Sequence, residues 1–296
     1  MNTDFIKGVI VPIITVIDEE EKINEAAMRA QVDYVINGGL HGILAFGSNG
    51  EFYQIEEEEM ERGFKIMVDQ AAGRVPVYFG IGAINTKKCV RLAKMAVANG
   101  AAGISILQPM FLKPNFNELF LHFKTIAEAV PETPIIMYNV PSRTGCNIQP
   151  ATAVALAKNV KNIVGIKAAS GDLSQIATMM SMADGCIELY SGNDDQVLPI
   201  LSLGGLGVIS VLSNVAPKET HDMVMKFLEG DTKGAAEIQL KAIPLIHALF
   251  SEVNPIPVKA ALNLMGKEVG PLRMPLCEME DANKAKLAEE LKNFGI

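Results

Sequence analysis

The sequence has no tryptophan, four cysteines and four histidines, and no apolar run long enough to cross a bilayer. The cysteines, Cys89, Cys146, Cys186 and Cys277, are far apart and form no CxxC pair. This spacing disfavours a disulfide framework and a thiolate zinc site, and the thiols are expected to be reduced in an intracellular protein. A membrane span needs about 20 consecutive apolar residues, so no membrane partner is expected. Positive charge is also in short supply: 26 Lys and Arg face 34 Asp and Glu, for a formal charge of −8. A chain of this sign repels polyanions, which argues against nucleic acid as partner. The first 22 residues, MNTDFIKGVIVPIITVIDEEEK, have no basic n-region and no cleavage site, and Pro12 breaks their apolar stretch. A secretory leader is not expected, and the cytoplasm is the expected location.

What the sequence does have is apolar residues, 49% of 296. That is enough for a large core, and it excludes global disorder. Short apolar runs alternate with longer amphipathic stretches. The runs lie at 8–16, 42–46, 75–80, 103–107, 134–138, 163–167, 187–191 and 207–211. Their continuity is that of strands buried on both faces. Helical patterning fills stretches such as 24–37, 56–69, 87–99 and 116–130, with Thr86 and Asp172 in N-cap positions. Eight β-then-α units imply a parallel sheet, and eight is the number that closes a (β/α)8 TIM barrel. No GxGxxG follows the first strand, which disfavours a dinucleotide-binding doubly wound sheet. The remaining residues are helical in pattern at 221–228, 232–250, 257–265 and 281–293. The expected division is a barrel over 1–220 and a packed C-terminal helical domain over 221–296.

In such barrels the chemistry sits at the C-terminal ends of the strands. The second strand ends in Gly47-Ser48-Asn49-Gly50-Glu51. Its glycines permit a turn with exposed amides that can hold a carboxylate, or simply a βα turn capped by Ser48 or Asn49. The fifth ends in Tyr138, a phenol able to transfer protons or merely packed, and leads to Arg143. A guanidinium there can fork a carboxylate or form a surface salt bridge. The sixth apolar strand runs straight into Lys167. Burying that amine is costly unless it is paired, with Asp195 for example, or neutral. Apolar surroundings favour the neutral amine, which can form a Schiff base with a carbonyl substrate; no acid directly follows, so the nucleophile is the better reading. The Asp194-Asp195 pair has no histidine beside it, so no metal is expected.

These segments resemble the pyruvate-dependent class I aldolases typified by dihydrodipicolinate synthase and N-acetylneuraminate lyase. The matching motifs are GSNGE (47–51), YNVPSRTG (138–145), IVGIKAASGD (163–172), YSGNDD (190–195) and GVISVLSNVAP (207–217). NPIPVKAALNLMG (254–266), PLRMPL (271–276) and Arg143 point to the synthase branch. The resemblance implies a cofactor-free carbon–carbon lyase with pyruvate and a small aldehyde as substrates, assembled as a homotetramer or homodimer. It implies that Lys167 forms the imine and Tyr138 shuttles protons. Ser48 and Asn49 would hold the pyruvate carboxylate through backbone and side-chain donors, and Arg143 would meet the aldehyde's carboxylate. Gly192 and Ile209 would supply backbone contacts. The aldehyde is expected to be aspartate semialdehyde, on the diaminopimelate route to lysine. The alternatives are a 2-keto-3-deoxy sugar acid or 4-hydroxy-2-oxoglutarate aldolase and, in another class, a non-catalytic keto-acid-binding barrel.

Three departures stand out. Ser48 and Asn49 replace two threonines usual in the synthases, and Phe111 stands where their proton relay has a tyrosine. In lysine-inhibited relatives the effector site uses a histidine, an asparagine, a glutamate and a tyrosine. Matching positions here hold Glu57, Ile84, Lys88 and Met110.

Overall fold

The computed structural model describes residues 7–296. Residues 1–6, part of the stretch read as lacking a leader, lie outside it. Eight parallel strands form a closed barrel in sequence order. They are β1 (Gly8–Pro12), β2 (Gly42–Ala45), β3 (Val77–Ile81), β4 (Gly103–Leu107), β5 (Ile135–Asn139), β6 (Ile163–Ala168), β7 (Glu188–Ser191) and β8 (Gly207–Ile209). The expected (β/α)8 architecture is present. Closure pairs Gly8 with Gly207 and Ile10 with Ile209. Gly207 is required there, because a Cβ would overlap the Gly8 carbonyl.

Side chains alternate across each strand. Ile10, Leu44, Tyr78, Ile136, Tyr190 and Ile209 fill the barrel interior. Their neighbours, such as Val9, Val11, Ile43 and Phe79, pack in the larger core that includes the helices. Both faces are dry, which is why the strands read as unbroken apolar runs. The first run was expected to extend to Val16, but the strand stops at Pro12. Residues 13–16 are buried outside the ladder; hydropathy reports burial, not strand pairing.

The helices start where short polar side chains satisfy free amides. Asn24 caps Glu25–Asn37, and Asp172 caps Leu173–Ala183. Asn115 and Glu118 form a capping box on Phe116–Glu128. The expected cap at Thr86 is corrected: Asn85 caps Thr86–Ala98 by accepting from the Lys88 amide, and Thr86 is the first helical residue. The Thr86 hydroxyl instead shares a 2.9 Å hydrogen bond with His122 Nδ1. Burial pushes the His122 imidazole down to about 4. A depressed histidine binds its proton more readily in the unfolded chain. Its contribution to stability is therefore complete above pH 6.5 and is lost as pH falls toward 4. Urea midpoints measured from pH 7 to pH 4 should fall less steeply for His122→Asn than for wild type. Parallel curves would remove the assignment.

After β8 come the helices Pro217–Leu228, Thr232–Leu249, Ile256–Leu264 and Asp281–Phe294. The first runs through the expected 220/221 division. It completes the eighth β/α unit, so we propose that the C-terminal extension begins with Thr232–Leu249. No helix among the described residues is long and apolar enough to cross a membrane.

Candidate active site

Lys167 occupies the penultimate position of β6, in register with Tyr138 on β5 and Tyr190 on β7. It is 4% exposed, and its Nζ lies 4.3 Å from the centroid of the Tyr138 ring. Among the described residues no carboxylate lies within ion-pair distance of this amine. Gly192, just past β7, makes room for the lysine stem. A Cβ on Gly192 would sit 3.1 Å from Lys167 Cε and 2.7 Å from Ala169 Cβ. The Gly192 amide donates to the Ala168 carbonyl at 2.7 Å, so of its backbone groups only the carbonyl remains for a ligand.

Facing the lysine is the turn after β2. Ser48–Gly50 forms a short 3-10 turn preceded by Gly47, with no side-chain cap. The amides of Ser48 and Asn49 open that turn and have no intraturn acceptor. Phe46 at φ 53° and Glu51 at φ 55° bracket it in left-handed backbone. A small cavity joins Ser48 to Tyr138 and Lys167, floored by Leu44 and walled by Leu107 and Phe52. Ser48, Tyr138 and Lys167 thus line one cavity.

Asn49 differs. Its side chain is buried and turned away, donating to the Pro12 carbonyl at 2.9 Å and accepting from Asn254. The expectation that this amide side chain grips a substrate carboxylate is corrected, and only the backbone N–H of Asn49 faces that task. Ile209 ends β8 with its side chain in the barrel interior. Arg143 lies on the short helix Pro141–Thr144, exposed at the mouth. Its charge reaches Tyr53, whose phenol burial pushes up to about 12, with Glu51 adding and Arg143 opposing. Phe111 lies outside the pocket of its own chain, 87% exposed at φ 68°.

The acid nearest in role to the expected Asp195 is Asp194. Asp195 is exposed, whereas Asp194 is buried and accepts from the Leu212 amide at 2.9 Å. Burial pushes its carboxyl up to about 6, against hydrogen bonds from Ser210 and Leu212 and the charge of Lys167. The sequence shows two adjacent aspartates but not which one the turn sends inward. No group of three or more His, Cys, Asp or Glu side chains among the described residues is placed to hold a metal.

The model of the dihydrodipicolinate synthetase family matches residues 5–294. The chain belongs to that family. A 4-hydroxy-tetrahydrodipicolinate synthase of Lachnoclostridium phytofermentans is 46% identical over 289 residues, covering 98% of each chain. One from Clostridium tetani is 45% identical over 277 residues, 94% of each. The crystal structure of the dihydrodipicolinate synthase of Thermotoga maritima superposes with a TM-score of 0.95 at 37% identity, covering 98% of both chains. The enzyme of Cyanidioschyzon merolae, solved with lysine bound, gives 0.95 at 32%, covering 98% of this chain and 99% of that one.

Ile84, Lys88 and Met110 line an open groove. Beside it Glu57 is engaged by Lys88 at 3.5 Å and Arg91 at 2.6 Å. A ligand ammonium would meet Lys88, a like charge, and a carboxylate already matched by two cations. Steady-state rates should not respond to millimolar lysine; a saturable inhibition would contradict this reading.

Proposed function

We propose that the chain is a 4-hydroxy-tetrahydrodipicolinate synthase, joining pyruvate to aspartate semialdehyde through an imine on Lys167, on the diaminopimelate route to lysine. One observation carries the reading. A buried lysine, without an ion-pair partner among the described residues, sits next to last in β6 beside the Tyr138 ring and opposite a turn with open amides. The amine adds to the keto carbon of pyruvate, and loss of water gives the imine. The imine nitrogen draws electrons from the methyl carbon, which releases a proton to give an enamine. That carbon attacks the aldehyde carbon of the semialdehyde. The semialdehyde's own amino group then closes on the imine carbon and releases Lys167.

In this scheme Tyr138 carries protons to and from the reacting atoms. Ser48 and the two open amides hold the pyruvate carboxylate. Gly192 keeps the stem of Lys167 in place and offers its carbonyl, and Ile209 seals the floor below. Arg143 receives the semialdehyde carboxylate at the mouth. No cofactor or metal is required by these steps. We place the enzyme in the cytoplasm, supported by its four free thiols, which suit a reducing compartment. Exposed Phe111 and Leu112 at the mouth support self-association as a homotetramer or homodimer, which sedimentation tests.

The aldehyde is tested at Arg143. Losing a charge-assisted contact typically costs about 1.5–3 kcal/mol, which is roughly a tenfold or larger change in half-saturation. Arg143→Ala should raise the aspartate semialdehyde requirement by that amount. Arg143→Lys keeps the charge without the fork and should restore only part. Pyruvate imine formation should be unaffected. A wild type that ignores the semialdehyde but cleaves a 2-keto-3-deoxy acid would hand the reading to a sugar-acid aldolase.

A further inference from the structure

The turn facing Lys167 is held in place from the far end of the chain. Asn254 Nδ2 donates to Asn49 Oδ1, and Asn49 Nδ2 donates to the Pro12 carbonyl at 2.9 Å. Both ends of the Asn49 amide are therefore fixed, one by the first strand and one by the C-terminal segment. Lys259 Nζ forms an ion pair with Glu51 at 3.2 Å, with the two side chains 1% and 0% exposed, and also donates to the Pro271 carbonyl. The Arg273 amide reaches the other Glu51 oxygen at 3.5 Å.

A buried ion pair is an expensive way to fill space, since an apolar pair of similar volume usually serves stability as well or better. Its use needs a geometric reason. The turn supplies one, because Phe46 and Glu51 on either side hold left-handed backbone that non-glycine residues adopt reluctantly. Such conformations persist where surrounding contacts over-determine them. The contacts here come from Pro12 in the first strand and from Asn254, Lys259 and Arg273 beyond the barrel. The peptide units they fix are the same ones whose N–H groups have no acceptor in the turn that lines a cavity with Lys167.

We propose that Asn254 and Lys259 are positioning residues: through Asn49 and Glu51 they aim the Ser48 and Asn49 amides at the carboxylate of the keto acid. The proposal rests on the lysine-imine reading and adds to it a role for the C-terminal helices. A brace of this kind acts on carboxylate recognition and leaves the amine's reactivity alone. Small misplacements of binding groups are enough to be felt at the reacting atoms.

The test compares borohydride trapping at Lys167 by pyruvate and by hydroxyacetone, a ketone without a carboxylate. In Asn254→Ala the half-saturation for pyruvate should rise about tenfold, while trapping of hydroxyacetone stays as in wild type. Glu51→Gln, which keeps the side-chain shape and weakens the ion pair, should shift pyruvate in the same direction and serves if the first variant does not fold. Unchanged pyruvate half-saturation in a folded variant overturns the proposal. So does an equal loss with both ketones, which marks a merely structural role. A wild type that traps neither ketone at Lys167 removes the imine reading and the brace with it, whereas trapping by wild type with indifferent variants removes the brace alone.

Discussion

Pyruvate and borohydride together are expected to leave Lys167 carrying a reduced three-carbon adduct, N-carboxyethyl lysine, and an inactive enzyme. The imine forms with loss of water, and hydride then converts its C=N bond to a stable secondary amine. Peptide mass mapping locates the adduct. Lys167 is next to last in a strand buried on both faces, has no carboxylate within ion-pair distance among the described residues, and packs its stem where a Cβ on Gly192 would come within 3.1 Å. Replacement separates nucleophile from charge. Lys167→Ala removes both, while Lys167→Arg keeps a cation that does not deprotonate in proteins. Both variants are expected to lose turnover by more than the roughly 10²–10⁴-fold typical of a missing proton-transfer group. An active Lys167→Arg enzyme, or an unmodified Lys167 in a fully trapped sample, would sink the mechanism.

Much of this was legible in the sequence, for identifiable reasons. The eight strands show as apolar runs because barrel strands are buried inside and out. Lys167 and Tyr138 show because each is a polar group ending such a run, where burial makes polarity conspicuous. The family motifs carried Ser48 and Arg143. What could not be read depends on contacts between distant residues. Asn254 meets Asn49 across 205 positions, and Lys259 meets Glu51 across 208. No local periodicity encodes those pairs, and without them Asn49 looks like a free donor when its side chain is already engaged. Asp194 and Asp195 are indistinguishable by type; the turn at Asp194–Gln196 decides which is buried. The motif marks Phe111 as standing where relatives carry a relay tyrosine, but not that its ring is 87% exposed on a backbone at φ 68°.

Tyr138→Phe is expected to cut turnover by about 10²–10⁴-fold, the loss typical when one general acid–base group is removed. The substitution is unusually clean at this site. The ring that lies 4.3 Å from the Lys167 amine is retained, so its packing against the amine survives, and only the hydroxyl goes. Tyr138 is half-buried, and its hydroxyl is not among the buried polar atoms left without a partner, so its removal strands no buried donor or acceptor. Stability should therefore change little, and the pyruvate half-saturation should move far less than turnover. The two readouts divide the alternatives. A fall in kcat with near-constant KM places the hydroxyl in proton transfer, because an interaction made only on the way to the transition state lowers kcat and kcat/KM together. A rise in KM alone would make it a binding group. Wild-type turnover in Tyr138→Phe would return the residue to packing, and the protons of imine formation would then have to travel by another group in the mouth of the barrel.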